Sequence, residues 1–242
     1  MIASAERPVF LTAEWRKLAM ANYAVDPALL HDFLPHGTVL DLFNDTCYVS
    51  LVGFRFTNTR LKGLRVPFLT DFEEVNLRFY VRHRTVEGWN RGVIFIREFV
   101  PKPALTFVAR TLYKEPYRTL PMDHLWETNE KTVRVRYRWK LGTWHSIDLV
   151  ASAEPKDIDA NSEEEFITEH FWGYTRLSAT RTAEYAVEHP RWQIYPVESA
   201  TIAVDFGSLY GERFGFLSGC APRSVLLAEG SSIIVRAGAR LN

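Results

Sequence analysis

The chain has 242 residues, and its 29 basic and 29 acidic side chains give a formal net charge of zero at pH 7. This balance argues against a nucleic acid or an anionic membrane held by bulk charge, so we expect neither as a partner. The two cysteines, Cys47 and Cys220, are too few for a disulfide framework, and they show no metal-ligand spacing. We find no signal-peptide pattern and no apolar run long enough to span a membrane. These features predict a cytoplasmic protein and leave a homo-oligomer open.

Most of the chain consists of short apolar runs with a period of two residues, which is typical of strands. Three short helices are predicted between them, because a capping residue or a helix-starting proline precedes an apolar helical pattern. These helices begin near Asp26, Pro103 and Ser162. The Gly-rich stretch 205–221 is predicted to be a long loop or a bent segment. With no repeat and no linker, we predict one domain over residues 1–242, of the α+β class and mostly antiparallel β.

Two consecutive runs, 71–82 and 92–101, carry the most informative side chains. The first run places apolar residues on one face of a strand and polar residues on the other, the polar ones being Glu74, Asn76, Arg78, Tyr80 and Arg82. The second run is apolar on both faces, yet Arg97 and Glu98 stand near its end. A charge buried in such a run is costly unless it is paired or hydrogen-bonded. The pattern therefore predicts a polar patch enclosed by a sheet.

The polar patch yields the candidate ligand-binding residues Glu74, Asn76, Arg78 and Arg97. Two alternatives remain open: the polar face of the first run is the solvent side of a sheet, or Arg97 and Glu98 belong to structural ion pairs. Arg97 and Glu98 point to opposite faces of a regular strand, so the sequence does not decide which of them faces inward.

Several blocks of the sequence resemble those of a bacterial family of uncharacterised proteins, the YqjF-like family. They occur in the same order and extend over nearly the whole chain: EEVNLR at 73–78, RGVIFIREFVP at 91–101, LYKEPY at 112–117, FITEHFWGY at 166–174 and LAEGS at 227–231. This family is similar in fold to acetoacetate decarboxylase, an enzyme with a closed β-barrel and a pocket inside it. The resemblance therefore implies an acetoacetate-decarboxylase-like β-barrel with about three short helices.

The resemblance also suggests catalytic residues. The decarboxylase signature is an Arg-Glu pair, a proline and then two lysines, one of which forms a Schiff base with a β-keto acid. Arg97-Glu98 followed by Pro101-Lys102 looks like a shortened version, so Lys102 and Glu98 are the candidate catalytic residues. The gap before the lysine is shorter here, and Pro103 stands in place of the second lysine. The sequence thus departs from the acetoacetate decarboxylase signature at the lysine that would form the Schiff base.

Other candidates have a structural interpretation beside the functional one. Lys102 is either a nucleophile with a lowered pKa or a solvated lysine at a strand–helix junction, and the second is favoured. Tyr174 is a candidate substrate-binding residue or a core aromatic. His170 lacks a second histidine at metal-ligand spacing, so we expect no metal and no cofactor.

The sequence favours a small-molecule-binding barrel, and any enzymatic activity would involve a small carbonyl or carboxylate compound such as a keto acid. The alternative is a non-catalytic binding or interaction protein whose barrel is filled by side chains. An open pocket lined by Glu74, Arg78 and Glu98 would distinguish the first from the second.

Overall fold

The computed structural model describes residues 7–112 and 115–241, and for residues 108–112 it describes the backbone alone. Tyr113 and Lys114 of the LYKEPY block lie outside the described residues. The described part contains sixteen strands: β1 Val9–Val25, β2 Thr38–Leu40, β3 Cys47–Leu61, β4 Phe72–Thr85, β5 Gly88–Val100, β6 Tyr117–Thr119, β7 Met122–Thr128, β8 Thr132–Leu141, β9 Thr143–Ser152, β10 Lys156–Asp157, β11 Trp172–Arg176, β12 Thr182–Glu188, β13 Gln193–Tyr195, β14 Val197–Ala203, β15 Ser224–Arg236 and β16 Ala239–Leu241.

Seven strands of the larger sheet form a closed ring of pairings, in the order β15, β1, β3, β4, β5, β11 and β12. The ring closes where Val187 and Glu188 of β12 pair with Val235 and Ile234 of β15. Six of the seven pairings are antiparallel, and β5 with β11 is parallel. The predicted class, mostly antiparallel β with few helices, is confirmed.

A second sheet of four strands, in the order β14, β9, β8 and β7, packs against the outer face of the ring. The apolar residues of β4 that alternate with its polar ones lie in this layer, where they meet the buried aromatics of β8; from β4 they are Val75, Leu77, Phe79 and Val81, and from β8 Tyr137 and Trp139. Each such side chain contributes about 1.5–3 kcal/mol when it is fully buried. Packing the apolar face of β4 outward leaves its polar face for the interior of the ring.

In the described part of the chain, three α-helices and two 3-10 helices connect the strands: α1 Pro103–Leu112, α2 Glu163–Thr168, α3 Phe206–Tyr210, and 3-10 helices Pro27–Phe33 and Glu212–Gly219. The predicted cap of α2 is present, since the hydroxyl of Ser162 accepts from the backbone N–H of Glu165 at 3.1 Å. Among the residues described here, no helix is long and apolar enough to cross a membrane.

The stretch 205–221, predicted from its glycines as a long loop or a bent segment, instead forms α3 and the second 3-10 helix. Asp205 caps α3, because its carboxylate accepts from the backbone N–H of Ser208 at 3.0 Å. Phe206, Leu209 and Phe214 are buried in the outer core layer. Capping and burial outweigh the low helix propensity of the glycines.

Candidate functional site

A cavity of about 160 Å³ lies inside the strand ring. All seven ring strands contribute side chains to its wall, and most of these side chains are aliphatic or aromatic. The apolar part of the wall consists of Leu11, Trp15, Leu18, Val52, Phe54, Phe56, Phe72, Val93, Phe95, Leu105, Trp172, Val187 and Val235. A concave, mainly apolar wall with a few polar groups is the usual form of a small-molecule site.

The polar face of β4 supplies three adjacent side chains of the cavity wall. Glu74, Asn76 and Arg78 follow one another at every second residue, so all three point into the ring. Glu74 and Asn76 are only 2% exposed, and Arg78 is 9% exposed. The polar face of this strand therefore points into the ring and does not face bulk solvent.

A β-bulge in β5 determines that Glu98, and not Arg97, faces the cavity. Leu77 pairs with Arg97 and Arg78 pairs with Phe95, so Ile96 is the extra residue on β5. Phe95 lines the cavity, and strict alternation from it would turn position 97 inward. The extra residue reverses that alternation, so Glu98 lines the cavity opposite Asn76.

Three buried glutamates and two tyrosines form one end of the cavity. The carboxylate of Glu74 accepts from the Asn76 amide at 3.1 Å and from the Tyr117 hydroxyl at 2.9 Å. Glu115 accepts from the Tyr185 hydroxyl at 2.6 Å. The parallel pairing of β6 with β5 places Tyr117 beside Glu98, which joins the two hydrogen-bonded pairs into one acidic cluster.

Burial makes these carboxyls weak acids. It raises the pKa of Glu74 to about 7, although hydrogen bonds from Asn76 and Tyr117 oppose the rise. It raises the pKa of Glu115 to about 8. The pKa of Glu98 lies well above its usual value because of burial and the nearby charges of Glu115 and Glu74. At neutral pH the cluster therefore holds most of its protons and can donate them.

The cavity wall also carries a cation. The guanidinium of Arg78 donates to the backbone carbonyl of Ile167 at 3.2 Å and lies 5.6 Å from the ring centroid of Tyr80. An arginine in such a setting suits a carboxylate ligand.

His170 also lines the cavity, between the rings of Tyr80 and Phe166. Its Nε2 lies 3.2 Å from the carboxylate of Asp41, which also accepts from Arg91 at 2.6 Å. Burial lowers the pKa of His170 to about 4 despite the Asp41 carboxylate. The imidazole is therefore neutral at pH 7 and adds no charge to the cavity.

Five polar atoms of wall residues have no hydrogen-bond partner among the described protein groups. They are Trp15 Nε1, Asn76 Oδ1, Arg78 Nε, Glu98 Oε2 and His170 Nδ1. Native proteins leave few buried polar atoms unsatisfied, and each one costs about 1–3 kcal/mol. Five of the thirteen such atoms in the described part of the chain belong to side chains of this one cavity wall.

Three of the sequence-predicted site residues lie away from this cavity wall. Arg97 points to the outer face, where it donates to the backbone carbonyl of Leu209 at 2.6 Å. Tyr174 is part of the outer core layer, and its hydroxyl donates to the backbone carbonyl of Asn90 at 3.3 Å. The ammonium of Lys102 donates to the backbone carbonyls of Phe68 and Asp71. Glu74, Asn76, Arg78 and Glu98 line the cavity together.

Four polar wall residues were not identified from the sequence: Glu115, Tyr117, His170 and Tyr185. Glu115 and Tyr117 fall in the LYKEPY block. The resemblance of this block to the YqjF-like family was the available signal. His170 was weighed only as a metal ligand. The glutamates do not form a metal site, since no group of three or more histidine, cysteine, aspartate or glutamate side chains in the described part of the chain could hold an ion.

Comparison with known proteins identifies the family. A family model described as "Uncharacterized conserved protein", DUF2071, matches residues 12–232. The chain belongs to the DUF2071 family. It is 28% identical to the uncharacterized protein YqjF of Bacillus subtilis over 189 residues, which are 76% of this chain and 75% of that protein. The resemblance seen in the sequence blocks is thereby confirmed.

Solved structures of the same fold cover nearly all of this DUF2071 chain. Acetoacetate decarboxylase from Legionella pneumophila superposes with a TM-score of 0.65 and 14% identity, covering 97% of this chain and 88% of the other. The enduracididine biosynthesis enzyme MppR superposes with a TM-score of 0.68 and 13% identity, again covering 97% and 88%. At these identities the comparison shows the fold alone, which is the acetoacetate-decarboxylase-like fold predicted above.

Proposed function

We propose that this DUF2071 protein binds a small carboxylate that also carries a carbonyl group, and that it catalyses proton transfer at the carbon beside the carbonyl. The ring of seven strands then serves as a barrel that encloses the ligand. A cavity of about 160 Å³ is close to the ~150 Å³ of an engineered cavity that holds benzene. The expected ligand therefore has about six or seven non-hydrogen atoms, as short oxo acids do.

The observation that carries the proposal is the placement of Glu74, Asn76, Arg78 and Glu98 on the wall of an otherwise apolar cavity. Arg78 offers a cationic donor, and Glu98 offers a protonated carboxyl. A ligand with a carboxylate, a short apolar stem and a carbonyl oxygen can contact both groups. The cavity also argues against the alternative of a barrel filled by side chains.

The acid and base follow from the different pKa values of the glutamates. Glu74, with a pKa of about 7, is half ionised at neutral pH and suits a general base. Its carboxylate removes a proton from the carbon beside the carbonyl, while the protonated Glu98 donates a proton to the carbonyl oxygen. The product is an enol, and the reverse transfers regenerate the oxo acid. Carboxyls with different proton affinities in one site favour this division of roles.

The structural neighbours support a keto-acid ligand, and the residues of the cavity wall bear on the type of chemistry. The solved structures of this fold include MppR complexed with pyruvate and acetoacetate decarboxylase, both proteins whose ligand or name refers to a keto acid. None of the described wall residues is a lysine, and the chemistry that we propose is proton transfer without a Schiff base. Borohydride treatment in the presence of pyruvate should leave Lys102 unmodified, and an adduct there would restore the covalent interpretation.

Isothermal titration calorimetry tests the proposal with 2-oxobutanoate, butanoate and 2-butanone. We expect 2-oxobutanoate to bind best, because butanoate lacks the carbonyl and 2-butanone lacks the carboxylate. Arg78→Gln should weaken oxo-acid binding at least about tenfold, since a hydrogen bond to a charged group contributes about 1.5–3 kcal/mol.

Arg134→Gln is the matched control, because Arg134 lies on the four-stranded sheet and pairs with Asp148 at 2.8 Å. Its affinity for 2-oxobutanoate should equal that of the wild type. Absence of oxo-acid binding in the wild type, or equal binding by Arg78→Gln, would contradict the proposal.

A further inference from the structure

The wall of the strand ring has a gap beside β5. One edge of β5 pairs with β4 along its length, whereas the other edge pairs with β11 only at Gly92 and Val93 and with β6 only from Glu98 to Val100. Among the described strands, none pairs with this edge over residues 94–97. Four residues of a strand span ~13 Å, which leaves an opening between β6 and β11. The bulge at Ile96 lies within this opening.

A surface groove of about 290 Å³ lies at the gap. Its wall combines both sides of the opening, with Ile94 and Ile96 from β5, Tyr174, Thr175 and Arg176 from β11, and Glu115 and Pro116 from the segment before β6. The groove therefore reaches the sheet where the ladder of hydrogen bonds is interrupted.

Glu115 is shared by the central cavity and the outer groove. It lines the central cavity together with Glu74 and Glu98, and it also lines the outer groove. It is 7% exposed and is the only one of the three cavity glutamates that the groove reaches among the described residues. Tyr117, two residues after Glu115 in the sequence, pairs with Glu98 of β5.

Proton transfer inside the cavity requires a route to solvent once the ligand is bound. A ligand that fills a cavity of about 160 Å³ displaces the solvent from it, so protons cannot exchange through the space it occupies. Glu98 and Glu74 are only 1% and 2% exposed. The gap beside β5 offers a second path to solvent.

We propose that Glu115 relays protons between Glu74 and the outer groove. This inference rests on the proposed function and names the residue that connects its base to solvent. After Glu74 has taken the proton from the ligand, an ionised Glu115 accepts that proton, directly or through a water molecule, and exchanges it with water in the groove. A solvent proton returns to Glu74 by the same path and is delivered to the carbon when the oxo acid is regenerated. No electrons are transferred, and the net result is the exchange of one ligand proton for one solvent proton.

The charged neighbours of Glu115 are consistent with a relay. On the cavity side it faces Glu74, Glu98 and the hydroxyl of Tyr185. The charged groups of the groove side are Asp32 and Arg176, and Asp32 is paired with Arg213 at 3.0 Å. A carboxyl between an acidic cluster and an open groove can release and regain a proton near neutral pH, where its pKa of about 8 lies.

Deuterium exchange at C3 of 2-oxobutanoate, followed by NMR in D₂O, tests the relay. Glu115→Gln should bind 2-oxobutanoate within about twofold of the wild type by calorimetry, yet exchange its deuterium at least about tenfold more slowly. Formate is small enough for the groove and should restore exchange in Glu115→Ala. A purely structural role for Glu115 predicts neither the separation of binding from exchange nor the rescue.

Blocking the groove is an independent test. In a Cys220→Ser background, which removes the exposed thiol, Thr175→Cys places a thiol in the groove for a bulky methanethiosulfonate reagent. The label should slow exchange and leave binding unchanged. The same label at Thr143→Cys, at the exposed first residue of β9, should change neither.

Three outcomes separate the claims. Slow exchange with intact binding in the Glu115 variants and the labelled Thr175 variant would support the relay. Exchange at the wild-type rate in both would overturn the relay while leaving the proposed function intact. Absence of exchange in the wild type would overturn the proposed function and the relay with it.

Discussion

Glu115→Gln should change the pH dependence of stability as well as the exchange rate. The folded protein holds the Glu115 proton up to a pKa of about 8, whereas the ordinary value is 4.5. A carboxyl whose pKa is raised by folding contributes its full stability below pH 4.5, and that stability is lost as the pH rises toward 8. Each pH unit in this window costs about 1.4 kcal/mol. Ionisation of Glu115 should therefore lower the free energy of unfolding of the wild type by about 3 kcal/mol between pH 4.5 and pH 7.

The glutamine side chain in Glu115→Gln cannot ionise, so the variant escapes this cost. The free energy of unfolding of the variant minus that of the wild type should rise by about 3 kcal/mol between pH 4.5 and pH 7. Urea unfolding at intervals of half a pH unit measures the difference, and any constant cost of the amide cancels in its slope. Glu130→Gln, at an exposed turn, is the control and should give no slope. Parallel pH profiles for Glu115→Gln and wild type would refute the argument that the carboxyl is desolvated.

Two other variants test the packing of the site and the role of the signature lysine. Gly173→Ala should destabilise the protein by about 1–3 kcal/mol in urea unfolding and weaken oxo-acid binding, because the added Cβ would overlap the ring of Tyr185 in the cavity wall; Gly219→Ala, where the Cβ meets nothing within 4 Å, should do neither. Lys102→Met should leave oxo-acid binding and exchange unchanged while amide hydrogens around Phe68 exchange faster with solvent, because the ammonium holds that backbone carbonyl. Loss of exchange in Lys102→Met would show that the lysine takes part in the chemistry.

The alternating pattern of β4 allowed most of the polar wall to be predicted. Period-two alternation places Glu74, Asn76 and Arg78 on one face, and an apolar opposite face has to be buried. What the pattern could not decide was whether the polar face meets solvent or a lumen. That depends on the closure of the ring by β12 and β15, strands more than 90 residues away in the sequence.

The orientation of Arg97 and Glu98 could not be predicted because it depends on a β-bulge. Two neighbouring residues of a regular strand face opposite ways, and either one could face in. The extra residue at Ile96 turns Glu98 inward, and apolar runs carry no sequence mark of such a bulge. Glu115 was missed for a related reason, since only the parallel pairing of β6 with β5 brings it to the cavity.

The fold class was predictable since the strands alternate clearly and the family blocks cover the chain. The helices at 205–221 were not, because glycine content favours a loop while capping by Asp205 and burial of Phe206 decide the outcome. Residue patterns within one segment thus predicted which side chains share a face of a strand. They did not predict features that depend on packing between segments distant in the sequence.

The structure of the protein bound to 2-oxobutanoate would test the central claim most directly. We expect one molecule inside the strand ring, with its carboxylate on the Arg78 guanidinium and its carbonyl oxygen within hydrogen-bond distance of Glu98. Glu74 should lie on the side of the carbon that loses a proton. A ligand bound outside the ring, or one held covalently by Lys102, would contradict the proposed function.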